Sequence, residues 1–146
     1  MKIIGLDLGS RTCGVASSDD NESMAFGVKT LRFPPEDYET AVDIIKATIV
    51  ELKGEAIVVG LPKHLNGDIG ERGRISQKLA EILAEELSIT VELWDERFTT
   101  VAAERLLISA DVSRKKRKEV IDTIAAVYIL KSYLDAKKNR GERNDR

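Results

Sequence analysis

Residues 4–15 read IGLDLGSRTCGV. Two apolar runs flank Gly9-Ser10, so the stretch predicts strands over 2–8 (KIIGLDL) and 12–17 (TCGVAS) joined by a tight turn. Asp7 sits between Leu6 and Leu8, inside the first of these strands. A strand covered on both faces tolerates an acid poorly. Burying an unpaired carboxylate costs on the order of several kcal/mol unless it is neutralised, paired or bound to metal. Taken singly, Asp7 fits a structural salt bridge or a hydrogen bond to the turn as well as it fits a functional site.

Working outward, 24–32 (MAFGVKTLR) reads as a third strand, which makes the first part an antiparallel meander. Pro34-Pro35 ends it. Ala41, Ile44, Ile45, Thr48, Ile49 and Leu52 then recur at helical spacing, predicting a helix over about 36–53. EAIVVG (55–60) is a nearly continuous apolar run and so a buried parallel strand. The polar loop LPKHLNGDIGERG leads to a helix over about 72–87. ITVELW (89–94) is the fifth strand. DERF follows, then a helix from about Thr99 to Ser109. The polar stretch ADVSRKKRKE precedes a last helix at about 119–137, and the tail KKNRGERNDR, without apolar residues, is expected to fray. The order β-β-β-α-β-α-β-α-α predicts an α/β fold: a five-stranded mixed sheet, an antiparallel meander plus parallel crossovers, flanked by helices. One domain is expected over 1–138, with 139–146 as the frayed tail.

The 146 residues suffice for one core, and 42% hydrophobic with 33% charged residues is the balance of a soluble globular protein. No apolar run approaches the roughly 20 residues of a membrane span, and Asp7 interrupts the N-terminal run too early for a signal peptide. No membrane partner is expected. Cys13 is the sole cysteine, which excludes an internal disulfide and fits a reducing cytoplasm. His64 is the sole histidine, so any metal must be held mainly by oxygen. The net charge of −2 argues against a protein that coats nucleic acid, yet Arg114, Lys115, Lys116, Arg117 and Lys118 form one basic run.

Two further acids stand out. Asp95 and Glu96 in WDERFTT follow strand 89–94 at its carboxyl end, where open α/β sheets place ligands. Taken alone, a solvated turn before a helix cap at Thr99 or Thr100 is the simpler explanation of them. Asp122 in EVIDTIAAVYIL shares a helical face with Ala125, Ala126, Ile129 and Tyr133, so it faces the protein; a first-turn acid complementing the helix dipole is the plain alternative. Together the three positions say more than each alone. Converging carboxylates repel unless a cation joins them, and hard oxygen ligands without histidine suit Mg²⁺ or Mn²⁺. Two such ions about 4 Å apart serve phosphodiester hydrolysis.

The loop 61–74 supplies Lys63, His64, Asn66, Arg72 and Arg74 on the same edge, suited to a phosphate backbone. His64 reads as a substrate contact or a capped loop residue rather than a metal ligand. Arg97 is placed either to bind the scissile phosphate or to pair with Asp95. The 114–118 run reads as a backbone contact that positions nucleic acid without base specificity. Aromatic content of 5% offers no stacking ladder for single-strand readout.

GLDLGSRTCGVASSD, VVGLPKHLNG, WDERFTTVAAERLL and SRKKRKEVIDTIAAVYIL, in that order along nearly the whole chain, resemble the YqgF family of the ribonuclease H-like superfamily, related to the RuvC Holliday junction resolvases. The resemblance implies a ribonuclease H-like fold and a divalent-metal-dependent nuclease. Its acidic triad would be Asp7, Glu96 and Asp122, with Asp95 as a further metal ligand or an orienter of the turn. Phe98 replaces the leucine commoner in DERLTT, an apolar exchange. The implied activity is maturation of the 5′ end of pre-16S ribosomal RNA, with structured RNA and a ribosomal precursor particle as partners and a monomer or weak homodimer as the working form. Holliday junction resolution on four-way DNA is the alternative, and a non-catalytic RNA-binding module the second. DLGS also resembles the phosphate hairpin of sugar kinases and actin-like ATPases, but those use two such domains around ATP, for which this length leaves no room.

Overall fold

The computed structural model describes residues 1–98 and 114–144; for Phe98, residues 114–122 and residues 141–144 it describes the backbone path alone. Five strands, β1 (Ile3–Leu8), β2 (Thr12–Ser18), β3 (Ala25–Arg32), β4 (Ala56–Leu61) and β5 (Thr90–Asp95), form one sheet in the order β3-β2-β1-β4-β5. β1 pairs antiparallel with β2, and β2 with β3; β1 pairs parallel with β4, and β4 with β5. The expected meander and crossovers are therefore both present. Their meeting point is β1, which is buried along its whole length.

Alternation along β1 decides what each face holds. Ile4, Leu6 and Leu8 join Val15, Leu31, Ile57 and Val59 in a core covered by α1 (Tyr38–Glu51) and α2 (Glu71–Leu87), through Ala41, Ile45, Ile49, Leu79 and Leu83. Ile3, Ala16 and Val58 face the other way, against Ala125, Ala126, Ile129 and Leu130 of α3 (Arg114–Asn144). Asp37 caps α1 by accepting from the Thr40 backbone N–H at 3.1 Å, just beyond the proline pair that stops β3.

The small residues of the α3 face let the helix lie close. A Cβ on Gly5 would sit 2.8 Å from Leu130 Cβ and 3.1 Å from the Ala126 carbonyl oxygen. At β3, Thr123 packs on Gly27, and its hydroxyl lies 2.9 Å from that of Thr30. At the other end Lys137 pairs with Glu22, in the turn between β2 and β3. Thus α3 runs antiparallel to β1, with its start at the carboxyl end of that strand.

The last helix is longer than the periodicity predicts. It begins at Arg114, so the basic run 114–118 lies on the helix and does not precede it. Lys, Arg and Glu are good helix formers, and no proline interrupts them. Asp122 consequently lies beyond the second turn, which removes the reading of it as a first-turn acid answering the helix dipole. The helix predicted over Thr99–Ser109 falls outside the described residues. No described helix is long and apolar enough to cross a membrane.

Candidate active site at the carboxyl edge of the sheet

Three parallel strands, β1, β4 and β5, end at one edge with Leu8, Leu61 and Asp95. Asp7 lies one residue before that edge. By the alternation that points Ile3 and Gly5 at α3, its side chain belongs to the α3 face, and the residue is buried. Its neighbours in the sheet are glycines. Gly14 is its Cα partner on β2, and Gly60 follows Val59, the partner of Leu6 on β4. A row of the sheet thus reads Thr30, Gly14, Asp7, Gly60, and removing Cβ atoms on both sides keeps space around the carboxylate.

Glu96 enters that space from β5. It opens a single 3₁₀ turn, Glu96–Phe98, and is half-buried. Its side chain folds back over β4. A Cβ on Gly60 would meet Glu96 Oε1 at 2.7 Å and Ile129 Cδ1 at 2.5 Å. Gly60 is therefore the floor on which Glu96 rests, beside the position of Asp7. The α3 turn at the level of this row holds Thr123, bonded to Thr30 of β3, and Asp122 is its neighbour in the chain. The Asp122 side chain lies outside the described residues, as do those of Arg114, Lys115, Lys116, Arg117 and Lys118. Among the described residues no group of three potential ligands assembles.

Asp95 points to the opposite face from Glu96, one residue away. It is buried and meets two cations. Arg97 donates from Nη2 to Asp95 Oδ2 at 2.8 Å and from Nε to Oδ1 and Oδ2 at 3.2 and 3.1 Å. The Arg97 backbone N–H donates to Oδ1 at 2.9 Å. Lys63 Nζ stands 3.4 Å from Oδ2. The hydrogen bonds from Arg97 outweigh burial and hold the Asp95 carboxyl down at about 2, while the carboxylate raises the Arg97 guanidinium. Of the two roles sequence leaves to Arg97, pairing with Asp95 is the one this geometry displays.

The remaining loop residues divide. Arg72, in the first turn of α2, reaches over the end of β1 and donates to the Leu8 carbonyl at 3.2 Å. Lys63 stands at the same edge. Asn66 is spent inside the loop, donating to Asp68 Oδ2 at 3.0 Å while its Oδ1 accepts from the Asp68 N–H at 2.9 Å. His64 stacks against Gly70, where a Cβ would lie 2.7 Å from Nε2. Arg74 turns back to the Ile69 carbonyl at 3.3 Å. The edge thus gathers Asp7, Glu96, Lys63, Arg72 and Arg97, while His64, Asn66 and Arg74 build the loop.

Sequence reasoning missed Gly14, Gly60 and the Thr30–Thr123 contact. Glycine inside a strand is itself a signal of close approach. Finding which close approach requires the register.

Residues 1–136 match the family described as "RuvX: Holliday junction resolvase". Over 137 residues the chain is 51% identical to a Geobacillus protein and 53% identical to one from Oceanobacillus iheyensis, each named "Putative pre-16S rRNA nuclease". Both alignments take 94% of this chain and essentially the full length of the relative. Among solved structures, Thermus thermophilus RuvC in complex with a Holliday junction superposes with a TM-score of 0.60 at 15% identity, over 94% of this chain and 96% of that one. The fowlpox virus Holliday junction resolvase superposes at 0.56 with 14% identity, over 93% and 99%. At such identity the likeness is one of fold, the ribonuclease H-like sheet with its helices. On the match along nearly its whole length, the chain belongs to the RuvX (YqgF) family.

Proposed function

We propose that the protein is a divalent-metal-dependent nuclease that hydrolyses phosphodiester bonds at the 5′ end of pre-16S ribosomal RNA, in a cytoplasmic ribosomal precursor. The observation that carries the reading is the meeting of Asp7 and Glu96 on one face. They come from different strand ends and share a glycine-lined row beneath the α3 turn of Asp122. The names borne by relatives of 51–53% identity supply the RNA substrate.

The donor set fits Mg²⁺ or Mn²⁺, because Asp7 and Glu96 offer hard oxygens in a space with no Cβ beside Asp7. Asp7, Glu96 and Asp122 are the residues assigned to hold two ions. When bound, such ions supply Lewis acidity to the attacking water and the leaving oxygen. Asp95 is left out of the ligand set, since Arg97 and Lys63 already occupy its oxygens. Arg72 and the basic run at the start of α3 orient the phosphate backbone around the edge, a positioning role that is indifferent to base sequence.

The test is a cleavage assay with Mn²⁺ offering precursor ribosomal RNA and a four-way DNA junction side by side. Asp7→Asn, Glu96→Gln and Asp122→Asn are each expected to lower cleavage by at least about 10²-fold while leaving the thermal transition in place. Full activity in one variant removes that residue from the mechanism. Preference for the junction replaces the RNA reading with resolution of four-way DNA.

A further inference from the structure

Asp95 does more than neutralise a neighbour. Its partner Arg97 has a third arm: Nη1 donates to the Leu65 carbonyl at 3.4 Å. The same guanidinium lies under Gly67, whose φ is +95° and where a Cβ would meet Nη1 at 3.4 Å. Lys63 comes from the start of that loop and lands on the same carboxylate. The loop's own bonds, His64 N–H to the Asp68 carbonyl at 2.9 Å and Gly67 N–H to the His64 carbonyl at 2.8 Å, make it a closed unit. One buried carboxylate therefore ties two connections of the carboxyl edge. One is the β4–α2 loop; the other is the 3₁₀ turn that begins with Glu96.

We propose that Asp95, acting through Arg97, is a positioning residue that locks the 62–70 loop and the Glu96 turn into a single arrangement for the nucleic-acid substrate. This rests on the nuclease reading above, but the lock itself is a property of the unliganded protein. The Asp95 Oδ1 bond to the Arg97 N–H sets the turn, and the turn sets where Glu96 falls over Gly60. The guanidinium fork sets the loop. A lysine at 97 keeps the charge but has no planar fork to engage carboxylate and carbonyl together.

The competing role for Arg97 and Lys63 is direct capture of substrate phosphate, with Asp95 as an idle counter-ion. The two roles predict opposite outcomes. If Asp95 positions, Asp95→Asn and Arg97→Lys each lower kcat by roughly 10–100-fold with KM little changed. The double variant is then no worse than the poorer single one, since both break the same lock. If the cations capture phosphate, Asp95→Asn releases them, KM falls and kcat holds, and Arg97→Lys retains most activity; that pattern overturns the proposal.

Hydrogen exchange of the protein without substrate supplies the independent readout. In Asp95→Asn and Arg97→Lys the His64 and Gly67 amides should exchange at least about tenfold faster than in the parent. In Glu96→Gln they should exchange as in the parent although cleavage is lost. Unchanged exchange in the two lock variants overturns the proposal whatever the kinetics. A parent protein that cleaves neither RNA nor junction sinks the nuclease reading and leaves the lock to be decided by exchange alone.

Discussion

At the scale of single residues the chemistry turns on two adjacent acids with opposite fates. Asp95 and Glu96 differ by one position, yet Asp95 is the last residue of β5 while the 3₁₀ turn that follows carries Glu96 back over Gly60 on the other face. Asp95 meets two cations and its proton affinity falls; Glu96 lies over Gly60 toward Asp7. A pH dependence follows for Asp95. Its carboxyl stands at about 2 in the folded protein against an ordinary 3.8. The lowered value means that the charged form is favoured by folding, so the contribution is complete above about pH 4 and disappears as pH falls through 2. Its size is on the order of 2 kcal/mol. Denaturant midpoints measured from pH 6 to pH 2 should show the parent losing its advantage over Asp95→Asn across that window. Parallel curves for the two proteins would mean that the ion pair contributes nothing to stability.

At the scale of elements, α3 and β1 form the joint on which the proposed role of Asp122 depends. Close packing there depends on the absent side chain of Gly5, opposed by Leu130 Cβ and a backbone oxygen of Ala126. A backbone atom cannot rotate away, so Gly5→Ala must lift the helix. The expected cost is about 1–3 kcal/mol, a fall in Tm of roughly 3–10 °C by calorimetry. Cleavage should fall more than stability alone explains, because the α3 turn with Asp122 is displaced from Asp7. An unchanged Tm with full activity would show that this packing is not what sets the helix. The length of α3 was not legible beforehand. Apolar periodicity marks only where a helix is buried, and its first turns, rich in Lys and Arg, carry little of that signal.

At the scale of the whole molecule the net charge of −2 conceals a division. Acids crowd α1 and its approach, at Glu36, Asp37, Glu39, Asp43 and Glu51, while Arg72, Lys63, Arg97 and the 114–118 run belong to the carboxyl edge and the start of α3. Nucleic acid should therefore dock on one side, with affinity that falls as salt rises. Replacing Arg114, Lys115, Lys116, Arg117 and Lys118 by glutamine should reduce the slope of log K against log salt by about 0.7–0.9 for each phosphate that the run neutralises in the parent. An unchanged slope in filter-binding titrations would take the run out of the interface. By itself the sequence determined the order of the described strands and helices, the mixed sheet and the identity of the unusual acids. Hydrophobic period and glycine or proline punctuation are local properties, and a charge inside an apolar run is visible without coordinates. Only the tertiary structure decided that Glu96 and not Asp95 shares a face with Asp7, that Gly14 and Gly60 clear the space between, and that Arg97 is bound to Asp95. Those facts depend on strand register and on side chains from segments distant in sequence, which no local pattern encodes.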